Sequence, residues 1–312
     1  MPRPIQTWHG FAGQKEIVAA LREHARGALR MHEPMLHCLL TGPSGIGKTR
    51  LAESLAKEMG TNCATFASSN KSQKIQVVDL LMKMKKADVL FIDEIHALPI
   101  DCQEMLFPAI DRQIVPLVDH EKRRLDESKT AEIQPFTLVA ATDQPGKLRK
   151  ALKQRIPLVF HLGAYSLAEM RVIVGNYAAN LGLLMKPQAI TRIANASRGI
   201  PRRARHLLTS LKVVMPDLTQ EVSKTFIDRH LRSIGIDDEN LAAMDLRYLE
   251  VVRDHAGKVS LSTLAHQLQV DTAAVLTDIE PYLMFRGFVG IESRGRYLTA
   301  AGLKLLNDRR AS

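Results

Sequence analysis

The sequence predicts an α/β protein: a parallel sheet packed with helices, then an all-helical region, then three helices and a strand pair in the order of a winged helix. Up to about residue 163, short apolar runs alternate with segments whose apolar residues lie three and four positions apart, as in helices packed on a parallel sheet. From there to about 232 only helical periodicity occurs. We therefore expect domains at residues 1–163, 164–236 and 237–312, the second boundary lying in the polar, turn-rich segment GIDDEN.

The spacing of apolar residues predicts the individual strands and helices. Four short apolar runs predict strands at 37–41, 89–93, 136–141 and 158–162. Helical spacing predicts helices at 48–59 and 76–83, and Ser166 with Glu169 forms a capping box that opens a helix ending near Leu181. In the tail we expect helices at 243–255, 261–268 and 272–283, and strands at 288–293 and 295–299.

Composition limits the class of protein. The 312 residues are 46% hydrophobic and 24% charged, which disfavours disordered, collagenous and coiled-coil proteins. The net charge of +10 favours a polyanionic partner such as nucleic acid or nucleotide phosphate. That excess is uneven: residues 1–237 hold 34 Lys and Arg against 23 Asp and Glu, and residues 238–312 hold 9 against 10. The tail is therefore slightly acidic.

Three sequence features indicate the compartment. The three cysteines form neither a CxxC pair nor a disulfide framework, which suits a reducing environment. No run of about 18 apolar residues is present to span a bilayer. The first residues, MPRPIQTWHG, lack the apolar core of a signal peptide. We therefore expect a cytoplasmic protein with no membrane partner.

A phosphate-binding loop is the strongest motif. Residues 42–49, GPSGIGKT, match G-x-x-x-x-G-K-[ST] between a predicted strand and a predicted helix, the context that this motif requires. Gly42, Gly45 and Gly47 let backbone N–H groups converge on phosphate oxygens at the positive end of the helix dipole. Lys48 can reach the β and γ phosphates of ATP, and the Thr49 hydroxyl can bind Mg²⁺.

Two carboxylates end the second predicted strand. The run VLFIDE places Asp93 and Glu94 where a parallel sheet presents residues to a phosphate loop. Asp93 is expected in the Mg²⁺ shell, and Glu94 is expected to orient or deprotonate the water that attacks the γ phosphate. An acidic helix cap is the alternative, which the upstream phosphate loop disfavours.

Two further polar residues fit nucleotide hydrolysis. Thr142 follows the strand FTLVAA and either senses the γ phosphate or caps a turn, two interpretations that its position leaves open. Arg155 ends the basic segment GKLRKALKQR and could act in trans on the ATP of a neighbouring subunit. Lys147 and Lys150 in the same segment are better explained as a solvated basic face.

Several blocks, in the same order over nearly the whole chain, give a family resemblance. They are RPI at residues 3–5, DEIH at 93–96, MLFPAID at 105–111, PFTLVAAT at 135–142, RGIPRRARHLL at 198–208 and EPYLMFRGFV at 280–289. These blocks resemble those of the RuvB family, the AAA+ ATPase motors of Holliday-junction branch migration. The resemblance implies an AAA+ P-loop NTPase domain, a helical lid and a C-terminal winged helix. It also implies a hexameric ring around duplex DNA, with RuvA as partner at the four-way junction.

The resemblance also assigns site residues. It places Arg3 and Tyr165 at the adenine end of the nucleotide and adds Arg50 to the phosphate contacts. It implies that Thr142 is the first sensor, that Arg155 is the arginine finger, and that Arg202 is the lid's sensor arginine. The stretch 114–134 corresponds to the hairpin that docks on RuvA, although its centre, DHEKRRLDESK, is unusually charged.

For DNA, the resemblance implies contact from arginines of the wing, here Arg294 and Arg296, while Ile291 stands where the family has another arginine. Asp278 and Glu280 on the expected recognition helix disfavour base reading in the major groove, so we expect sequence-independent phosphate contact. A winged helix used only for packing is the alternative. Two other functions remain open: a clamp-loader or helicase-loader type AAA+ switch, and a nucleotide-regulated DNA-binding protein.

Overall fold

The structure is a computed structural model that describes residues 8, 11–67, 73–119, 124–215, 217, 219–255, 258–293 and 295–310. The chain packs as two compact units. The first lies within Met1–Ile173 together with Ile200–Arg202, and the second comprises Val174–Gly199 and Arg203–Ser312. The expected boundary at 236/237 falls inside the second unit, and the expected three-domain division stays a prediction.

The first unit is built on a five-stranded parallel sheet and a separate hairpin. Its strands are β1 (Cys38–Thr41), β2 (Cys63–Ala67), β3 (Val89–Asp93), β4 (Ile114–Asp119), β5 (Arg124–Glu132), β6 (Thr137–Thr142) and β7 (Leu158–His161). Its helices are α1 (Lys15–Met31), α2 (Lys48–Met59), α3 (Gln73–Lys83), α4 (Ile100–Arg112) and α5 (Lys150–Lys153). The sheet order is β2-β3-β6-β1-β7. The α/β class and the four predicted strands are confirmed.

The apolar runs explain which strands are central. All residues of β1 and β6 are buried, and β3 is buried from Val89 to Ile92, as expected for strands covered on both faces. The sequence prediction missed β2, the strand at the end of the sheet order, which pairs with β3. Cys63 and Ala64 are half-buried, Thr65 is exposed, and Phe66 is the one large apolar residue in the strand's sequence, CATFA, so the run gives little apolar signal.

The hairpin consists of β4 and β5, which pair antiparallel with an irregularity between Pro116 and Leu117. Proline cannot donate a ladder hydrogen bond, so it is tolerated at such a bulge. Both strands fall within the stretch 114–134, which the resemblance identified as a hairpin. The loop residues 120–123 lie outside the described part of the chain.

The second unit contains helices and a two-stranded wing. The helices that lie entirely within it are α7 (Pro187–Ala196), α9 (Lys224–Ser233), α10 (Ala243–Asp254), α11 (Leu261–Leu268), α12 (Thr272–Ala274), α13 (Glu280–Phe285) and α14 (Ala300–Arg310). Two more, α6 (Leu167–Asn180) and α8 (Pro201–Val214), have residues in both units. Strands β8 (Val289–Glu292) and β9 (Gly295–Leu298) pair antiparallel. Buried Tyr248, Leu249, Leu264 and Leu283 form the centre of the winged-helix core.

The prediction of one continuous helix at 272–283 is wrong, because the segment is interrupted. A π-helical turn, Val275–Ile279, separates α12 from α13. Pro281 has no N–H to donate to the carbonyl four residues earlier, and its ring would clash with that carbonyl. Widening the turn before Pro281 relieves the clash. The strand pair that follows is confirmed.

A buried ion pair joins two parts of the second unit. The Arg198 guanidinium donates to both oxygens of Asp245, and each side chain is only 3% exposed. Arg198 also donates to the Asn240 carbonyl at 2.7 Å and lies 4.0 Å from the centre of the Tyr282 ring. The Asp245 carboxylate in turn accepts the N–H of Ala242, which caps α10. Both charges are therefore paired and hydrogen-bonded inside the protein.

His37 gives the first unit a specific sensitivity to acid. Leu138 donates its backbone N–H to His37 Nδ1 at 2.9 Å, and the ring lies against Phe136. Burial lowers the pKa of His37 to about 4, with Asp111 acting weakly in the opposite direction. Between about pH 6.5 and pH 4 the unfolded chain therefore binds a proton that the folded chain does not, so stability falls as pH falls through this window.

We expect His37→Asn, which keeps an acceptor near Nδ1 but cannot titrate, to reduce this sensitivity. Between pH 7.5 and pH 5 the free energy of unfolding of the wild type should fall by about 2 kcal/mol more than that of the variant. Urea denaturation at the two pH values measures the difference. Equal losses in both proteins would contradict the assignment.

Among the described residues, no helix combines the length and apolarity needed to cross a membrane.

Candidate active site

The phosphate loop lies between β1 and α2. Gly42 has φ 143° and Gly45 has φ 77°, both in the region that favours glycine. A Cβ at Gly42 would lie 2.4 Å from the Leu162 carbonyl oxygen, and one at Gly45 would lie 2.4 Å from Arg202 Cβ. Gly47 is the N-cap residue of α2. Gly42 and Gly45 therefore let the loop backbone lie close to Leu162 and Arg202, where a Cβ atom would clash.

Lys48 begins α2 and is buried. Its Nζ donates to the carbonyl oxygens of Gly42 at 2.8 Å and Pro43 at 3.2 Å, so the ammonium lies inside the loop. Burial lowers the pKa of Lys48, whereas the Glu94 and Asp93 carboxylates oppose that shift. Thr49 is exposed in the first turn of α2, and Arg50 lies 6.0 Å from the Phe11 ring.

The strand order explains why the acidic pair faces this loop. Because β6 lies between β3 and β1, the carboxyl ends of these parallel strands bring Asp93, Thr142 and the start of the loop to one edge of the sheet. The Gly42 N–H donates to the Thr142 carbonyl at 3.2 Å, which ties the loop to β6.

Glu94 has an unusual backbone. Its φ of 48° is left-handed, a conformation that non-glycine residues rarely adopt and that often marks functional positions. The Asp93 carboxylate accepts the Glu94 N–H at 3.0 Å and helps to hold this turn. Burial, followed by the Asp143 carboxylate, raises the pKa of Glu94. Glu94 Oε2 is buried and has no hydrogen-bond partner in the described part of the chain.

Three polar residues that the sequence reasoning did not assign lie beside Glu94 and Thr142. His96 Nδ1 lies 2.9 Å from Thr142 Oγ1, 3.2 Å from Glu94 Oε2 and 3.9 Å from Asp143 Oδ1. Gln144 donates its backbone N–H to Thr142 Oγ1 at 3.0 Å, and its side-chain nitrogen lies 3.3 Å from His96 Nε2. The signal for His96 was its place in DEIH; nothing in the sequence singled out Asp143 or Gln144.

Arg155 is held beside α4. Its Nε donates to Asp111 Oδ2 at 2.8 Å, and its Nη1 donates to the Ala151 carbonyl at 2.9 Å. The guanidinium carbon lies 4.5 Å from the centre of the Phe107 ring, within the range of a cation–π contact. The side chain remains 28% exposed. Arg155 is thus preorganised and still reachable from solvent.

Two more assigned residues of the first unit, Arg202 and Tyr165, lie near the loop. Arg202 donates from Nη1 to Ser44 Oγ at 2.7 Å and from its backbone N–H to the Gly45 carbonyl at 3.2 Å. Tyr165 is buried against Gly13, where a Cβ would lie 2.6 Å from the ring. Its hydroxyl lies 3.5 Å from the position that a Cβ would take at Gly47. Arg3 lies outside the described residues.

The structure places the wing arginine Arg296 in an internal ion pair. Its Nε donates to Glu280 Oε1 at 2.7 Å, its Nη2 lies 3.3 Å from Glu280 Oε2, and the side chain is 12% exposed. Tyr248 also donates to Glu280. The sequence reasoning did not foresee this structural role, because Glu280 lies 16 residues away. Contact of Arg296 with DNA stays a prediction, and Arg294 lies outside the described residues.

The donor set fits a nucleotide triphosphate with a divalent cation. The glycines with positive φ and the N-terminus of α2 form a cradle for phosphate oxygens. The Thr49 hydroxyl and the Asp93 carboxylate are oxygen ligands of the kind that Mg²⁺ prefers. Glu94, at the same edge of the sheet, offers a carboxylate oxygen that accepts no hydrogen bond from the described residues. The arrangement can hold phosphates and accept a proton from a nearby water.

Comparison with known proteins agrees with this geometry. Residues 3–162 match the model of the Holliday junction DNA helicase RuvB P-loop domain, and residues 238–307 match the RuvB C-terminal winged helix domain. The chain is 34% identical over 296 residues to the Holliday junction branch migration complex subunit RuvB of Synechococcus sp. strain CC9311, covering 94% of this chain and 82% of that protein. The counterpart from Levilactobacillus brevis is 33% identical, with 95% and 88% covered.

A solved structure gives the same result in three dimensions. The Thermotoga maritima RuvB Holliday junction branch migration motor superimposes with a TM-score of 0.80 at 30% identity, covering 95% of each chain. The match to the P-loop domain means that this chain binds nucleotide. With both domains matched and nearly the full length covered, the chain belongs to the RuvB family.

Proposed function

We propose that this chain is an ATP-driven DNA motor that hydrolyses ATP and drives branch migration of Holliday junctions in recombination and repair. The observation that carries the proposal is the edge of the sheet where the phosphate loop, Asp93, Glu94 and Thr142 meet. It is supported by relatives, similar over more than nine-tenths of this chain, whose names state that activity.

Each residue of the site has a separate task in hydrolysis. Lys48 leaves its loop carbonyls to bind phosphate oxygens, while Thr49 and Asp93 would hold Mg²⁺. Bound Mg²⁺ supplies charge neutralisation at the phosphates. Glu94 orients the attacking water and takes its proton. Thr142 and Arg202 contact the γ phosphate, and Tyr165 and Arg3 are the residues proposed for the adenine end.

Arg155 completes the site of a neighbouring subunit. Asp111 and Phe107 present its guanidinium at the protein surface, where it can reach charge that develops on another subunit's ATP. A site completed in trans requires at least two copies of the chain in contact, and we propose a hexameric ring, in which every site has a neighbour. Hydrolysis at successive interfaces then moves duplex DNA through the ring.

DNA and partner contacts are proposed from the wing and the hairpin. A translocating motor needs contacts to phosphates that do not depend on base sequence. Arg294 is the proposed DNA contact in the wing. Arg296, whose side chain is 12% exposed beside Glu280, is a second proposed contact. The hairpin of β4 and β5 is the proposed docking site for a RuvA-like junction-binding protein.

The test is ATP-dependent branch migration of a synthetic four-way junction, followed as release of duplex products. Wild type with ATP should release duplexes, and Arg155→Ala should hydrolyse ATP at least tenfold more slowly in the assembled protein. Arg149→Ala is the matched control, because Arg149 is also an arginine paired with an α4 carboxylate, Glu104. Unchanged hydrolysis by R155A would refute completion in trans. Hydrolysis without duplex release would favour a loader-type switch.

A further inference from the structure

We propose that His96 is a positioning residue that couples Thr142 to Glu94, because one imidazole N–H serves either of these two acceptors. The inference rests on ATP hydrolysis at this site, as proposed above. It assigns a role to a residue that lies between the sensor and the base without belonging to the phosphate loop.

The neighbours of His96 determine its tautomer. The Gln144 side-chain nitrogen donates to Asp143 Oδ1 at 3.2 Å, and this carboxylate can only accept, so the orientation of the Gln144 amide is fixed. The same NH₂ group lies 3.3 Å from His96 Nε2. An amide nitrogen is a donor, so Nε2 must be the acceptor of the neutral ring. The ring proton is therefore on Nδ1.

The Nδ1–H group faces two acceptors. Thr142 Oγ1 lies at 2.9 Å and Glu94 Oε2 at 3.2 Å. Thr142 Oγ1 also accepts the backbone N–H of Gln144 at 3.0 Å. A hydroxyl oxygen has two acceptor lone pairs and one hydrogen to donate. With both lone pairs used, the Thr142 hydrogen is directed to another acceptor, which is what a γ-phosphate sensor requires.

The same N–H also lies beside Glu94. With the hydrogen bond made to Thr142, Glu94 Oε2 is buried and has no hydrogen-bond donor among the described residues. Because one N–H can be directed fully to only one of the two oxygens, a bond to Thr142 leaves Glu94 Oε2 open to an attacking water, whereas a bond to Glu94 would occupy that oxygen. The placement of Thr142 and the access of water to Glu94 are thereby linked.

The first experiment compares His96→Asn with His96→Gln. Asparagine places its amide near the former Nδ1 and can serve Thr142 and Glu94, whereas glutamine reaches the position of Nε2. We expect kcat for ATP to fall at least tenfold in H96Q. In H96N the fold-decrease in kcat should be less than half of that in H96Q. KM and the Kd of a fluorescent ATP analogue should change less than twofold in both. If packing were the only role, glutamine, which is closer to histidine in volume, would be at least as active, and that ranking would overturn the proposal.

The second experiment does not depend on activity. Imidazole ¹⁵N chemical shifts of ¹⁵N-histidine-labelled protein, with His96 assigned from H96N, should show the neutral Nδ1–H form, and Thr142→Val should shift its Nδ1 signal. An Nε2–H tautomer would overturn the proposal. His255→Asn, at an exposed histidine of the second unit, is the control for assignment. If the wild type does not hydrolyse ATP, the proposed function is wrong. The ¹⁵N spectrum tests the position of the His96 proton independently of that result.

Discussion

Replacing Glu94 with glutamine is expected to slow ATP hydrolysis by about 10²–10⁴-fold, the usual contribution of a positioned general base. Glutamine is nearly isosteric and keeps the shape of the left-handed turn, but its amide cannot take a proton from water. Burial raises the pKa of Glu94 towards the range in which a carboxylate accepts protons effectively. ATPase turnover at saturating ATP, together with the Kd of a fluorescent ATP analogue, measures the effect.

The variant should still bind nucleotide, because Glu94 does not belong to the phosphate loop. Lys48→Ala is the contrasting variant: it removes a buried cation from the loop and should lose both binding and turnover. Glu104→Gln, at an exposed carboxylate of α4, is the matched control and should retain turnover. Turnover near the wild-type rate in E94Q would assign the base to another group, such as Asp143.

Replacing Asp245 with alanine is expected to lower the free energy of unfolding of the second unit by about 3–5 kcal/mol, as is typical when one partner of a buried ion pair is removed. The loss would leave the Arg198 guanidinium buried against Tyr282 without its carboxylate. It would also remove the acceptor for the Ala242 N–H at the start of α10. Urea denaturation followed by circular dichroism measures the change.

Asp238→Ala provides the comparison. Asp238 pairs with Arg232 nearby, but both side chains are more than half exposed, so solvent and salt screen their attraction. The midpoint of D238A should lie close to that of wild type. A similar midpoint for D245A would mean that water reaches Arg198 and that the pair does not stabilise the fold.

Much of the active site could be anticipated from local sequence. The phosphate loop, Lys48, Thr49 and the pair Asp93–Glu94 occur in short contiguous motifs, because adjacent peptide units form a phosphate cradle. The sequence did not indicate that His96, Asp143 and Gln144 surround Glu94 and Thr142. Those groups follow β3 and β6, which are neighbours in the sheet. In the sequence, His96 and Thr142 are 46 residues apart.

The wing illustrates the opposite case. The family resemblance implied DNA contact for Arg296, yet the structure pairs this arginine with buried Glu280. Glu280 lies in α13 and Arg296 in β9. Their spacing in the sequence follows no pattern that predicts an ion pair between a helix and a strand. The π turn before Pro281 was also unforeseen, because apolar spacing cannot distinguish a continuous helix from one widened by a single turn.

The sequence by itself determined the α/β class, the four strands with continuous apolar runs, the phosphate loop and the RuvB family. These depend on local periodicity and contiguous motifs, which the order of residues carries directly. Only the tertiary structure decided that β2 closes one edge of the sheet, that Asp111 and Phe107 hold Arg155, and that His96 lies between Glu94 and Thr142. Each depends on strand order and on helices packing against the sheet, where residues distant in sequence share one environment of low dielectric constant and their charges must be paired.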